Sequence, residues 1–328
     1  MKGIFRRGLI AAAGLVFVST FVLGTVSAQN GGQSSSGNGF RISPVRSEYV
    51  IEKGRSEVLT LTLENPSDGT VTAQGVANDF VASDKEDGEP RLILDENAPA
   101  PKNSFKSLVG NIGQVTLKGK EKKEIPVTIR IPQNANAGGY YGAVRFIPVG
   151  GSSDTGNVGL TASVGTIVLI RVPGQLTERL DLVSLSASKN GEVKNFLTNG
   201  DASVLVRLKN SGDIHLKPFG KIAVKNPLGK SVTEYELNKA ASDQERANIL
   251  PGSTRKFDDK LPQLKIPGRY TIAVNVGYSQ GSGDLITAKA SFWYMPAWAI
   301  VILVILLVAI AAGIYYLVNR YRPVKKRA

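Results

Sequence analysis

Apolar and polar residues alternate with a period of two along much of the chain. In "EVLTLTLENPSDGTV", residues 57–71, the leucines fall on one face and the threonines on the other, and an Asn-Pro-Ser-Asp-Gly turn follows. This pattern is typical of a half-buried strand that ends in a turn. The stretch "KEIPVTIRIP", residues 123–132, repeats it. Since no segment before residue 296 keeps the 3.6-residue period of a helix, the pattern predicts an all-β fold up to that point.

The alternation restarts after Gly174 and continues as short strands divided by Gly, Pro and Asn turns. Such spacing predicts two tandem immunoglobulin-like β-sandwiches, residues 40–174 and 175–294, followed by a single transmembrane α-helix. About 260 residues are too many for one small sandwich and suit two. Residues 29–39, "QNGGQSSSGNG", have almost no apolar side chain to bury and predict a flexible leader.

The two ends of the chain predict export and membrane anchorage. Residues 1–28 combine basic residues, an apolar stretch and a final Val-Ser-Ala, which predict a secretory signal peptide. Residues 296–318, "PAWAIVILVILLVAIAAGIYYLV", are uncharged and long enough to form a transmembrane helix. Residues 319–328 form a basic tail, which the positive-inside rule places in the cytoplasm. We therefore expect a single-pass membrane protein whose N-terminal ectodomain lies outside the cell.

Charge and cysteine usage narrow the class of protein. The formal net charge is +13, but three cations lie in the signal segment and five in the tail, which leaves the ectodomain at +5. No run of Lys and Arg among aromatic residues indicates nucleic-acid binding, so we expect no nucleic-acid partner. The chain has no cysteine. An exported protein without disulfides is typical of a bacterial cell surface.

Residues 81–107 form a long polar segment between strands. This segment is too long for a hairpin loop, so we expect it to be a functional surface or an insertion. Its acidic residues, Asp84, Glu86, Asp87 and Glu89, do not have the spacing of an EF-hand loop. The sequence therefore favours a solvated acidic loop and no metal site.

The only histidine, His215, follows an Asn-Ser-Gly-Asp turn. We expect Gly212 to adopt a positive φ, Ile214 to begin the next strand, and His215 to point away from the face that Ile214 shares with Leu216. Two interpretations remain open for His215: a hydrogen bond that holds the turn, or contact with a partner. Asn210, at the start of the turn, is a second candidate for partner contact. A metal site needs companion ligands, and the chain offers no second His and no Cys.

A second candidate surface lies in "NAGGYYGAVRF". One interpretation places Tyr140 and Phe146 in the core and has Gly142 relieve crowding there. The other makes Tyr141 and Arg145 a glycan-facing pair, in which the ring stacks on a sugar and the guanidinium binds a peptide-stem carboxylate.

Nothing in the sequence favours an enzyme. Nucleophilic catalysis needs a base that activates a Ser or Thr. A single histidine in a turn, without a G-x-S-x-G nucleophile elbow, does not indicate such an arrangement. The glycine-rich stretch "GGSSDTG", residues 150–156, joins strands and opens no helix, so it does not predict a phosphate cradle. We expect no catalytic residues and no cofactor.

Four stretches carry a resemblance to a known family. The stretches "RISPVRSEYVIEKGRSEVLTLTLENPSDGTVTAQ" (41–74) and "IPQNANAGGYYGAVRF" (131–146) resemble the first domain of the WxL-interacting protein family of bacterial cell surfaces. The stretches "LKNSGDIHLKPFG" (208–220) and "ILPGSTRKF" (249–257) resemble the second domain of that family. The resemblance covers the ectodomain, the C-terminal helix and the basic tail.

The resemblance implies a non-catalytic adaptor whose first domain binds cell-wall peptidoglycan and whose second domain docks a WxL-type surface protein. The first domain is also similar in strand order to periplasmic pilus chaperones, which implies an alternative: a membrane-tethered chaperone or assembly factor that lends a strand to a subunit. A third possibility, a sensor that signals through the helix, is disfavoured because the basic tail has no room for a signalling domain. We expect the second domain to carry the protein partner through its turns at 210–218 and 250–254.

Overall fold

The computed structural model of the chain describes residues 39–149, 163–240, 245–278 and 285–321. The strands before residue 175 are β1 (Arg41–Ser43), β2 (Arg46–Val50), β3 (Ser56–Glu64), β4 (Val71–Ala82), β5 (Pro90–Leu92), β6 (Gln114–Leu117), β7 (Lys122–Arg130), β8 (Gly138–Val149) and β9 (Val164–Val172). The later strands are β10 (Leu180–Lys189), β11 (Glu192–Val193), β12 (Phe196–Leu197), β13 (Ser203–Asn210), β14 (Phe219–Lys225), β15 (Ser231–Leu237), β16 (Thr254–Lys260), β17 (Gly268–Gly277) and β18 (Ile286–Tyr294). The predicted signal peptide, nearly all of the predicted leader and most of the basic tail lie outside the described residues.

The first nine strands form two sheets around one core, which we call the N-terminal sandwich. A three-stranded sheet has the order β1-β3-β7, and a larger sheet has the order β2-β9-β8-β4-β5, with β6 paired to β4. The leucines of β3, Leu59, Leu61 and Leu63, are buried in this core while the threonines between them point outward. The predicted alternation is therefore confirmed for this strand.

Between β1 and β2 the chain crosses from one sheet to the other. Strand β1 pairs antiparallel with β3 in the small sheet, whereas β2 pairs parallel with β9 in the large sheet. Because β2 has no second neighbour in the described sheet, this crossing leaves it at the sheet edge.

The last nine strands form the C-terminal sandwich. Its sheets have the orders β11-β10-β13-β16 and β12-β18-β17-β14-β15. Inward side chains of β13 and β17, among them Val206, Leu208, Tyr270 and Ile272, build its core. This core and the N-terminal one are separate sets of residues, and they divide between Val172 and Leu176.

A single α-helix, α1 (Ala297–Arg320), follows β18. It has 24 residues and is long and apolar enough to cross a membrane. Its side chains are exposed along almost the whole length, with Ala299 as the buried exception. The predicted fold of strands followed by one apolar helix is confirmed.

Gly142 lies where β8 passes under a buried aromatic ring. A Cβ at this position would lie 2.0 Å from the Phe105 ring and 2.6 Å from the carbonyl oxygen of Asn78. Its neighbours Tyr140 and Phe146 are buried in the core. The interpretation in which Gly142 relieves crowding is confirmed.

The turn before His215 differs from its prediction. Gly212 does not have the positive φ expected of it, and the segment from 211 to 218 is irregular apart from one bridge between Leu216 and Ile249. The next strand begins at Phe219 rather than at Ile214. A Cβ on Gly212 would lie 2.4 Å from the carbonyl oxygen of Thr177, so close approach to the backbone favours glycine here.

Candidate functional site

The second-domain turns that carry the family resemblance lie against the N-terminal sandwich. The amide of Gly139, at the start of β8, donates to the carbonyl oxygen of Asp213 at 3.1 Å. The amide of His215 donates to the hydroxyl of Tyr141 at 2.7 Å. Both hydrogen bonds run from one sandwich to the other. These turns therefore bind the N-terminal sandwich of the same chain.

His215 meets Tyr141 through its ring as well as its backbone. The two rings are 5.7 Å apart and nearly perpendicular, at 78°, and the Tyr141 hydroxyl lies 3.3 Å from Nδ1 of His215. Burial raises the pKa of the Tyr141 hydroxyl above its ordinary range. The phenol therefore stays protonated and can donate to Nδ1 while it accepts from the His215 amide.

Glu48, on β2, is the centre of a charged cluster that spans the two sandwiches. Lys217 Nζ lies 2.5 Å from Oε2 of Glu48, His215 Nε2 lies 3.9 Å from the same oxygen, and Arg46 pairs with the other oxygen. Lys217 also pairs with Glu245. We call these five residues the Glu48 cluster.

The cluster keeps Glu48 ionised. Burial alone would raise the pKa of the Glu48 carboxyl, but His215, Lys217 and Arg46 together outweigh burial and hold that pKa well below its usual value of 4.5. A carboxylate that interacts this strongly with several partners resists protonation until the pH is low.

Asn210 joins the two motif turns from inside the C-terminal sandwich. Its side chain is fully buried. The amide nitrogen Nδ2 donates to the carbonyl oxygens of Ile214 at 2.7 Å and Ile249 at 2.8 Å, and Oδ1 accepts from the amide of Gly212 at 2.9 Å. Asn210 thus shapes the surface that faces the N-terminal sandwich without being part of it.

The hairpin between β4 and β5 makes a second contact between the sandwiches. Arg207 Nε donates to Glu86 at 2.7 Å, and the amide of Lys256, on the edge strand β16, donates to the Glu86 carbonyl oxygen at 2.8 Å. The hydrogen bond from Arg207 lowers the pKa of the Glu86 carboxyl. The prediction of a solvated acidic loop was wrong for Glu86, because this hairpin tip caps the edge of the other sandwich.

Apolar residues fill the space between these polar contacts. Phe80, Ala143 and Leu169, on the outer face of the large N-terminal sheet, are buried although they do not belong to the core of that sandwich. Phe80 and Tyr141 line one cavity together with Leu250 of the second motif turn. Burial of these three apolar side chains outside the core adds hydrophobic stabilisation to the contact between the sandwiches.

Arg145 lies apart from this contact. Its guanidinium donates to Asn78 Oδ1 at 3.1 Å and to Ser163 Oγ at 2.8 Å. Of the four residues predicted to contact a ligand or partner, the structure brings Tyr141 and His215 together, buries Asn210 behind them, and holds Arg145 elsewhere on the N-terminal sandwich.

A cleft opens between the sandwiches beside the Glu48 cluster. Its volume is about 810 Å³. Its lining combines charged and aromatic side chains, including Glu48, Arg171, Glu178, Phe219, Arg246 and Tyr278. The Arg246 guanidinium stands 5.6 Å from the centre of the Phe219 ring, which is a cation–π distance.

Strand β2 presents its open edge to this cleft. The β2–β9 ladder is bounded by hydrogen bonds from the Ile167 amide to the Val45 carbonyl oxygen, at 2.9 Å, and from the Ile51 amide to the Arg171 carbonyl oxygen, at 3.0 Å. Alternate residues of a strand turn their backbone groups to the same side, so those of Glu48 and Val50 turn away from β9. Among the described residues, no backbone hydrogen bond reaches that outer side.

Sequence reasoning missed the roles of Glu48 and Lys217. Arg46 and Glu48 are two residues apart in "RSEYV", so their side chains lie on the same face of a strand. Two charged residues at that spacing are a weak signal of a polar contact on that face. The partner Lys217 is 169 positions away. Only the packing of the two sandwiches brings these residues together.

The depressed pKa of Glu48 predicts a pH dependence. A carboxyl whose folded-state pKa is lowered stabilises the fold above its ordinary pKa of 4.5 and loses that contribution as the pH falls below it. We expect Glu48→Gln to lower the melting temperature at neutral pH, and we expect the gap to the wild type to begin to narrow below about pH 4.5, where the unfolded carboxyl takes up its proton. The gap closes only below the depressed pKa of the folded carboxyl, so part of it remains near pH 3.

Thermal melts across this pH range measure the effect, with Glu57→Gln, an exposed carboxyl on β3, as the matched control. We expect the melting temperature of Glu57→Gln to follow that of the wild type at every pH. If the melting temperature of Glu48→Gln does the same, the cluster does not couple the sandwiches.

Comparisons with known proteins leave the family of the chain open. No family model matches it, and no curated protein matches it. Among solved structures, the chain is similar to the class 5 fimbriae chaperone CfaA, at 13% identity over 79% of this chain and 100% of that one, with a TM-score of 0.38. It is also similar to a Salmonella enterica SafA pilin–SafB chaperone complex, at 14% identity over 78% and 96% with a TM-score of 0.35, and to the E. coli chaperone DraB, at 14% over 76% and 97% with a TM-score of 0.34.

Proposed function

We propose that this chain is a non-catalytic protein of the bacterial cell exterior, with two immunoglobulin-like sandwiches held at the membrane by α1, and that it binds another exported protein by strand addition at β2. In this role it acts as a tethered assembly factor that contributes a strand edge to a partner. The observation that carries the proposal is the open edge of β2 in the cleft between the sandwiches.

An extended peptide segment fits the chemistry of this cleft. An exposed strand edge offers unpaired amides and carbonyl groups, and a peptide that pairs with them gains main-chain hydrogen bonds without needing a particular sequence. The cleft walls add selectivity, because Phe219 and Tyr278 offer apolar surface and Arg246 offers a cation. These features favour a protein partner with apolar and acidic side chains beside the added strand.

The Glu48 cluster gives this edge a fixed position. Lys217 and His215 hold Glu48 from the opposite sandwich, and the Glu86 hairpin adds a second point of attachment. An edge that is already ordered costs less entropy to bind than a mobile one. The contact between the sandwiches thus serves to hold the β2 edge in place for binding in the cleft.

A wall-binding surface adaptor, as the family resemblance implies, remains a second candidate, and it shares the protein partner with the first. Peptidoglycan binding by the N-terminal sandwich stays a prediction from that resemblance. Tyr141 is engaged by His215, so the proposed glycan-facing pair of Tyr141 and Arg145 has no geometric support. This candidate therefore needs another wall-binding surface.

Photo-crosslinking in intact cells tests the proposed site. A photoreactive phenylalanine analogue at Val50, which is 70% exposed on β2, should form an adduct with a discrete exported protein. The same analogue at Leu94, which is 57% exposed and lies outside the cleft, is the matched control. Equal adducts at both positions, or an adduct at Leu94 alone, would rule out the β2 edge.

A further inference from the structure

The end of the C-terminal sandwich next to α1 is formed by several segments that are distant in sequence. Strand β18 ends at Tyr294 and α1 begins at Ala297, so two residues connect sandwich and helix. Phe196 pairs with Trp293, and Gly268 pairs with Tyr294. We call this end, residues 189–201, 226–230, 260–268 and 293–296, the helix-side end.

The turn between β14 and β15 also belongs to this end. A Cβ on Gly268 would lie 2.7 Å from the side chain of Pro227, and Lys225, the last residue of β14, pairs with Thr271 of β17. The turn that carries Leu228 therefore stands beside the start of β17 and the end of β18.

Exposed apolar side chains collect at the helix-side end. The C-terminal sandwich has eight large hydrophobic residues that are exposed in the described structure, and five of them are here. These five are Val193, Phe196, Leu228, Ile266 and Trp293. Single exposed apolar residues are ordinary on a protein surface, but a concentration at one end indicates a contact surface.

The charge of this end is positive. Its segments hold five lysines, at 189, 194, 230, 260 and 265, against two acids, Glu192 and Asp201. Lys194 pairs with Glu192 at 2.9 Å on the exposed surface. Lysines interleaved with aromatic and aliphatic side chains are the composition that favours the boundary between anionic headgroups and acyl chains.

We infer that the helix-side end seats the C-terminal sandwich on the anionic lipid headgroups of the bilayer that α1 crosses. This inference rests on the proposed membrane anchorage by α1. Two connecting residues span at most about 7 Å, which keeps the end within reach of the headgroups and leaves no room for a folded partner between them. The positive charge of this end matches anionic lipid headgroups, to which each lysine near the surface contributes about 1 kcal/mol.

Seating of this end sets the height of the cleft. The motif turns lie at the opposite ends of the strands, since β13 ends at Asn210 and β14 begins at Phe219. The nine residues of β18 span about 30 Å. The β2 edge is thereby held about one sandwich length above the membrane and faces partners that arrive from outside.

Site-directed spin labelling of the full chain in vesicles tests this inference, because the chain has no cysteine of its own. Leu228→Cys carries the reporter label. Leu285→Cys, at the opposite end of the sandwich, is the matched control, since the two leucines are 68% and 65% exposed. Ile305→Cys, in the middle of α1, reports whether the helix spans the bilayer.

In phosphatidylglycerol–phosphatidylcholine vesicles, we expect the label at 228 to be accessible to oxygen and protected from a water-soluble nickel chelate, and the label at 285 to show the reverse. Adding Lys230→Gln and Lys265→Gln to Leu228→Cys should shift the equilibrium toward the lifted state by roughly 25-fold, about fivefold for each lysine.

The outcomes separate this inference from the proposed anchorage. A protected label at 305 with a water-exposed label at 228 would overturn the seating alone. A water-exposed label at 305 would overturn the membrane anchorage and the seating with it. Protection at 228 that does not respond to the two lysine substitutions would overturn the role of anionic lipid.

Discussion

Replacing Asn210 with alanine should cost the protein about 3 kcal/mol of stability, roughly 1 kcal/mol for each of the three hydrogen bonds that the side chain makes. The substitution removes the partner of the buried Ile214 carbonyl oxygen and of the partly buried Gly212 amide, and it leaves the Ile249 carbonyl oxygen with the Leu216 amide alone. For a chain of this size, such a loss lowers the melting temperature by roughly 6 to 12 °C. Calorimetry of the full chain measures the effect.

The same substitution should weaken the contact between the sandwiches. The turns that Asn210 joins place His215 against Tyr141 and Asp213 against Gly139. Ser211→Ala is the matched control, because the Ser211 hydroxyl bonds only to the exposed Asp181 carboxyl. If Asn210→Ala and Ser211→Ala have the same melting temperature, the buried Asn210 side chain does not hold the two turns together.

The strands and their inward faces could be predicted from the sequence because a period of two is a local property. Leu59, Leu61 and Leu63 alternate with threonine, and burial of one face follows wherever the strand packs. The role of Gly142 could be predicted for the same reason. A glycine between large inward residues of a strand indicates that another group packs closely against the backbone there.

The turn before His215 could not be predicted from its residues alone. Its shape depends on the buried Asn210 side chain, which binds the carbonyl oxygen of Ile249, 39 positions away, and on the backbone of Thr177, which approaches Gly212 from another segment. Turn rules describe four consecutive residues, and here two long-range contacts outweigh them.

The candidate site was predicted in part. Tyr141 and His215 were both recognised as outward-facing, but an outward polar residue looks the same in sequence whether it meets solvent, a ligand or a second sandwich. Glu48 and Glu86 were not recognised, because their partners lie more than a hundred positions away. Packing between sandwiches is a long-range property that no local pattern contains.

The most direct test of strand addition at β2 is capture of the partner by Val50→Pro. The Val50 amide turns away from β9, so proline removes an outward donor and places a ring on the open edge while the β2–β9 ladder stays intact. Val50→Thr, which keeps the amide and the β-branched shape, is the matched control. Both variants should melt within about 2 °C of the wild type, as expected of substitutions at an exposed position.

The measurement is quantitative pull-down of the partner that the Val50 adduct identifies, from cells that express wild type, Val50→Pro or Val50→Thr without the photoreactive residue. Strand addition predicts that Val50→Pro captures at least about tenfold less partner, which corresponds to a loss of about 1.4 kcal/mol of binding free energy, while Val50→Thr captures as much as the wild type. Full capture by a correctly folded Val50→Pro protein would contradict binding at the β2 edge.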